Sequence, residues 1–329
     1  MPQAYAALIA LGLIWGSNFI YMKWATALIS PAQVVFLRVL FGFLPLALMA
    51  WRTGAISRDQ LRHLPHFAVM SVLATSFYYY GFVAGTAQLP SSIAGLLSGS
   101  IPIFTFLCAF LFLREDRPSR QMAAGVALGF IGIAISARPW EGAASVPLAG
   151  VLWLLAGTLS LGASFVYARR FLTPLRLPPL ALATWQTGLA VLTLLALTDL
   201  RGIGAIMGDT HALLGAVIGL GVLGTGGAFL IYYDIIEKLG PVRASGATYI
   251  APVVAVIIGA AVGEDITWIE IAALGLILGG VVLIQTGQRS GKPPATQPAS
   301  RPAPLPTGIA AGSGSAIAPA VSICATRPN

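Results

Sequence analysis

The chain has 329 residues, of which 57% are hydrophobic and 9% charged, against roughly 25% charged in a soluble domain. That composition excludes a water-solvated globular domain. The net charge of +8 gathers at the ends of apolar segments and in the tail, where it sets topology beside anionic lipid and gives no nucleic-acid face.

A helix needs about 20 mostly apolar residues to cross the roughly 30 Å hydrocarbon core. Ten such spans are predicted, at 4–26, 33–51, 66–87, 91–113, 121–137, 148–171, 179–199, 212–235, 243–262 and 270–287. Only Met1, Pro2 and Gln3 precede the first, without the basic region of a cleavable signal peptide, so that span is expected to remain as an anchor. It carries Trp15 and Asn18, with Lys23 near its end. An amide inside a span has more donors and acceptors than one backbone bond satisfies, which makes Asn18 a candidate for the substrate.

The second span carries Arg38 about two turns from its end, where the side chain can snorkel to the interface or fork onto a carboxylate. Lys23 and Arg38 are therefore expected at the outer mouth or in a structural role. In the third span, Phe77-Tyr78-Tyr79-Tyr80 lies too deep for the interfacial aromatic belt, and Tyr78 or Tyr79 is expected to face inward. The fourth holds Ser98 and Ser100 before Pro102. The sixth carries Ser160, Ser164 and Tyr167 on one face, the seventh Trp185-Gln186, and the ninth Thr248 and Tyr249 before Pro252. A proline inside a helix frees a carbonyl, so Pro102 and Pro252 are expected hinges. Serines in membrane helices also bond back to their own backbone. Gly125, Gly129 and Gly132 of the fifth span, with Gly275 and Gly279 of the tenth, are read as close-packing positions.

Basic residues fall almost wholly on one side. Arg52, Arg58 and Arg62, then Arg114, Arg117 and Arg120, then Arg169, Arg170 and Arg176, then Lys238 and Arg243 face Arg138 and Arg201 across the membrane, which makes both termini cytoplasmic. From about 289 to 329 the chain is rich in Pro, Ala, Ser and Gly and is expected to be a disordered cytoplasmic tail. The two cysteines, Cys108 and Cys324, make no disulfide or metal framework. No catalytic residue, metal ligand or cofactor is expected. A membrane enzyme remains a remote alternative, since His63, His66 and His211 lie at span ends and no HExxH helix occurs.

The ten spans repeat as two sets of five. Gly16, Phe19, Tyr21 and Lys23 return at one offset as Gly162, Phe165, Tyr167 and Arg169; Pro31 and Arg38 return as Pro179 and Gln186. Ala94, Ser98 and Pro102 return as Ala244, Thr248 and Pro252, followed by Glu115-Asp116 and Glu264-Asp265. An odd-numbered repeat enters the membrane in opposite senses, so the reading is an all-α integral membrane protein with inverted halves at 1–142 and 143–288. Inverted repeats that rock about a midplane site are a device of secondary transporters.

With Trp15-Gly16-Ser17-Asn18-Phe19, Arg38, Pro102, Glu115, Pro252 and Glu264, the chain resembles the drug/metabolite transporter superfamily, specifically its EamA-like ten-helix members, over roughly 4–288. Among these it is most similar to bacterial exporters of amino acids, aromatic ones included. The resemblance implies a basket-like fold with a central cavity and a bacterial inner-membrane location. From the residues, the expected substrate-binding set is Trp15, Asn18, Tyr78, Tyr79, Ser98, Ser100, Ser164, Trp185, Gln186, Thr248 and Tyr249. The expected partners are lipid and a small molecule such as an amino acid, bound by a monomer or weak homodimer. A nucleoside or lipophilic compound is the alternative cargo. No carboxylate lies at midplane, so uncoupled diffusion or exchange is expected.

Overall fold

In the computed structural model of the protein, the described residues are 2–113, 119–138, 146–239 and 246–290. Among them there are helices and no strands. The first eight helical stretches are α1 (Gln3–Thr26), α2 (Pro31–Thr53), α3 (Arg58–Gln88), α4 (Ser91–Leu113), α5 (Arg120–Ala137), α6 (Leu148–Leu175), α7 (Pro179–Leu197) and α8 (Thr210–Ile236). Then come α9 (Ala247–Ala261) and α10 (Trp268–Gly287). Nine of these, all but α9, are long and apolar enough to cross a membrane. The helix α9 is apolar but has 15 residues, and residues 240–245 before it lie outside the description. So do the expected match residues Glu115, Asp116 and Ala244, the basic residues Arg114, Arg117 and Arg243, and the tail from 291.

The ends of the helices follow local chemistry. Ser30 and Gln33 form a reciprocal capping box at the start of α2, with Pro31 at its first position, and Gly54 ends it at φ +63°. Ser119 caps α5 by accepting from the Met122 amide, and Asp209 caps α8 through the His211 and Ala212 amides.

Several helices depart from α-winding. A π-wound segment occupies Val72–Ser76 in α3, and a longer one Gly215–Gly227 in α8. In α4 the helix Ser91–Ser98 stops at Gly99 and restarts at Ile101. Pro102 is thus the second residue of the restarted helix, whereas Pro252 is inside α9. The α4 break packs against Pro252, since a Cβ on Gly99 would lie 3.3 Å from Pro252 Cγ.

Glycines set the close crossings. A Cβ on Gly125 of α5 would stand 2.6 Å from the Gly280 carbonyl oxygen of α10, so the two backbones touch where neither has a side chain. The expected α10 positions are corrected here: Gly275 faces open space and Gly279 meets only Leu128 at 3.5 Å. Gly280 is the contact, one residue and about 100° further round the helix. Elsewhere α1 crosses α9 at Gly16, against Val254 and the Ala251 carbonyl, and α6 crosses α4 at Gly162, against Phe104 and Thr105.

Candidate functional site

Hereafter the end of the bundle where α1 begins is the near face, and the opposite end the far face. A cavity of about 290 Å³ opens among α1–α4 and α6–α9. Its walls run from Met22 and Phe82, toward the far face, to Met70, Ala168 and Leu182, close to the near face.

Aromatic rings supply much of the wall. Trp15 packs on Tyr232 with ring centroids 5.8 Å apart, Tyr78 meets Tyr79 at 4.8 Å and Phe82 at 4.6 Å, and Phe229 stacks on Tyr233 at 6.1 Å. All seven line the cavity. Tyr80, the third tyrosine of its run, turns away and meets Trp153 edge-on at 5.3 Å.

Polar groups interrupt these rings at a few points, as in other small-molecule sites. Arg38 is the one charged residue among those lining the cavity and is 3% exposed. Its Nε donates to Thr225 Oγ1 at 3.1 Å and its Cζ lies 3.8 Å from the Tyr79 ring centroid. In the amide orientation that satisfies both of its groups, Asn18 donates to the Ile14 carbonyl at 3.1 Å and accepts from Arg38 Nη2 at 3.3 Å. Thr225 Oγ1 in turn reaches the Leu220 carbonyl, five residues back, at 3.0 Å within the π-wound glycine run. Across the cavity, Gln186 Nε2 donates to Thr75 Oγ1 at 3.2 Å.

The cavity collects Trp15, Asn18, Tyr78, Tyr79, Ser98, Ser164, Gln186 and Thr248 from the expected set. Ser98 and Ser164 spend their hydroxyl protons on Gly95 and Leu161 carbonyls, at 2.5 and 2.7 Å. Three expected residues are not in the wall. Trp185 donates its indole N–H to Gln60 at 2.8 Å and stacks on Phe67; Ser100 is fully buried at the α4 break and bonds to Leu97; Tyr249 hydrogen-bonds to Gln285 of α10. Each is next or next but one to a lining residue, and the helical turn between them points it elsewhere. Arg38, expected at the outer mouth or in a structural role, lies in the wall, held by Thr225, Asn18 and Tyr79.

Lys23 is outside the cavity. Its Nζ donates to the carbonyls of Thr86, Ala87 and Leu89, at 3.4, 3.3 and 2.9 Å, capping the end of α3. Close by, Glu264 accepts from the Ser91 amide and hydroxyl, both at 2.7 Å, and from the Ser92 amide at 2.9 Å, capping the start of α4. Burial pushes the Glu264 carboxyl up, but the bonds from Ser92 and Ser91 outweigh it and hold the group below the usual carboxylate range.

Sequence reasoning missed Thr75, Thr225, Phe229, Tyr232 and Tyr233. The signal was present: the offset of 150 residues that relates Ala94 to Ala244 also relates Thr75 to Thr225 and Tyr79 to Phe229. Among the described residues no group of three or more His, Cys, Asp or Glu is placed to hold a metal ion. The three histidines lie outside the wall.

Membrane-length helices around an internal cavity of rings, hydroxyls and amides define a multi-pass membrane carrier. The chain belongs to the EamA-like transporter family, whose model matches it twice, over residues 3–138 and 148–286. It is 28% identical over 302 residues to the uncharacterized inner membrane transporter YedA of Escherichia coli K12, covering 86% of this chain and 91% of that one. It is 27% identical to the uncharacterized transporter YdfC of Bacillus subtilis, over 82% and 85% of the two chains, and 23% identical to an uncharacterized transporter of Archaeoglobus fulgidus, over 82% and 94%. A solved crystal structure aligns with 89% of this chain and 100% of its own at a TM-score of 0.56 and 20% identity, which bears on the fold alone. The protein is thus a transporter of the drug/metabolite superfamily.

Proposed function

We propose that this transporter exports amino acids, aromatic ones included, and other small zwitterions across the bacterial inner membrane. It works by alternating access between inverted five-helix halves, 1–142 and 143–288, with the near face and both termini cytoplasmic. The observation that carries the reading is the cavity wall, where rings suit an apolar side chain and Asn18, Gln186, Thr225 and Thr248 suit its polar groups.

Three observations support the inverted halves. The family model matches twice in succession. The α1–α9 and α6–α4 crossings are equivalent under exchange of the halves, and each is made at the matching glycine, Gly16 or Gly162. Arg38 bonds to Thr225, while its counterpart Gln186 bonds to Thr75, the counterpart of Thr225. Tyr78, Tyr79 and Asn18 serve as substrate contacts, and the α4 break beside Pro102 and Pro252 inside α9 serve as hinges. With no Asp or Glu among the lining residues, transport proceeds by facilitated diffusion or exchange. Uphill accumulation driven by an imposed pH gradient would defeat that part.

Counterflow in proteoliposomes tests the whole. Liposomes loaded with unlabelled amino acids should take up labelled Phe, Thr and Met saturably and in mutual competition. Asn18→Ala and Tyr79→Ala should each lower the flux about tenfold with expression and thermal stability nearly intact. Stable, fully active variants would remove both residues from the site, and uptake of nucleosides or lipophilic compounds alone would replace the cargo.

A further inference from the structure

A buried guanidinium within a membrane-spanning helix is costly unless its charge and its five donors are met. For Arg38 every contact is neutral: the Thr225 hydroxyl, the Asn18 amide oxygen and the Tyr79 ring face. Among the described residues no carboxylate pairs with it, and its buried Nη1 has no hydrogen-bond partner. Among the described residues, therefore, the one positive charge of the wall has no counter-ion, and its Nη1 has no acceptor.

The opposite half repeats the arrangement without the charge. Gln186 donates to Thr75 as Arg38 donates to Thr225, and both threonines belong to π-wound segments. One framework, built twice, gives the cavity a cationic pole at α2–α8 and a neutral amide pole at α7–α3.

We propose that Arg38 is the specificity-determining residue of this transporter and that its cargo carries a carboxylate. The carboxylate takes the fork of Nη1 and Nη2 in place of the 3.3 Å contact with Asn18. Nε stays on Thr225, and Gln186 meets the neutral polar part of the cargo. The inference rests on the cavity being the transport site, but not on the cargo being an amino acid.

The test is ligand-induced thermal stabilisation of the purified full-length protein, with benzoate, succinate, phenylalanine and phenylalaninamide as probes, followed by proteoliposome uptake of whichever binds. At least one carboxylate should stabilise the wild type at millimolar concentration, and phenylalaninamide should not. Arg38→Gln should weaken that binding about tenfold or more yet keep the fold, since a glutamine already bonds to threonine at the equivalent place. Arg38→Lys, which keeps the charge without the fork, should fall between the two. Adding Gln186→Arg to Arg38→Gln should restore part of the carboxylate binding, which a purely structural role for Arg38 would not do. Binding of benzoate or succinate without phenylalanine would end the amino-acid reading and leave this one standing. Equal binding of phenylalaninamide, carboxylate binding unchanged in Arg38→Gln, or no carboxylate bound by the wild type would each overturn it.

Discussion

The two ends of the helical bundle are tied by different chemistry. At the far face, charged or amide side chains reach between distant elements and satisfy helix ends and loop carbonyls. Lys23 caps α3, Glu264 caps α4, Gln33 donates to the carbonyls of Asp199 and Arg201, both at 2.8 Å, and Arg138 pairs with Glu270. At the near face the described links run mostly from side chain to side chain: Gln121 donates to Thr286 at 2.6 Å and Gln285 bonds to Tyr249. Trp185 bonds to Gln60 and His66 to Tyr167, the Arg170 contact with the Phe112 carbonyl is 3.4 Å long and exposed, and the Asp234–Lys238 pair stays within one helix. The cavity approaches the near face, and the far face is held by these ties. The far-face caps can break without unwinding any helix, because a cap satisfies only groups that the helix itself leaves free.

The hardest blow to this asymmetry is Glu264→Ala, which strips a carboxylate from two amides whose residues, Ser91 and Ser92, are each 1% exposed. A loss of about 3 kcal/mol in unfolding free energy is expected, read as a lower melting temperature of the detergent-purified protein. Glu264→Gln, which keeps one acceptor, should lose less. The pH dependence follows from the depressed titration of the group. Its contribution is complete above the usual carboxylate range and is lost as pH falls through the depressed folded-state value, so acid and not alkali loosens the far face. The difference in melting temperature between wild type and Glu264→Gln should therefore be flat from about pH 8 to about pH 5 and shrink below that. A difference that does not change on acidification would show that the charge on Glu264 plays no part.

Lys23→Met keeps the aliphatic stem and removes the donors to three carbonyls at the end of α3. About 1–2 kcal/mol should be lost, and Lys23→Arg should recover most of it. If Lys23→Met and Glu264→Ala are combined, their effects should fall short of additive, because both grip the same turn between α3 and α4. Strict additivity of the two would mean that the caps act as separate local features and not as one unit.

The spans were legible because an apolar run of about 20 residues reports the thickness of lipid, a one-dimensional property. The π-winding of α3 and α8 was not, since it depends on what packs against each glycine and threonine. Within the site, polar side chains deep in a span marked Asn18, Gln186 and Thr248, and the tyrosine run marked Tyr78 and Tyr79. The inward turn of Arg38 was hidden because depth alone permits snorkelling, and the decisive contact, Thr225, is 187 residues away. Adjacent residues on a helix point about 100° apart, so Gln186 reaches the cavity while Trp185 does not, and Thr248 does while Tyr249 does not.

That last distinction sets the smallest effect, at the near face. Trp185→Phe keeps an aromatic ring beside Phe67, which the indole meets almost parallel at 5.8 Å and 5°, and deletes the N–H that Gln60 accepts together with part of the indole. About 1 kcal/mol of stability should go. Gln60 then keeps its own donor bond to the Ala55 carbonyl at 2.8 Å, so the turn before α3 holds. Because Trp185 is not in the cavity wall, the apparent affinity for cargo in counterflow should not move. A changed affinity with an unchanged melting temperature would put Trp185 in contact with cargo in another conformation of the protein. The near-face tie would then belong to the transport cycle and not to the scaffold.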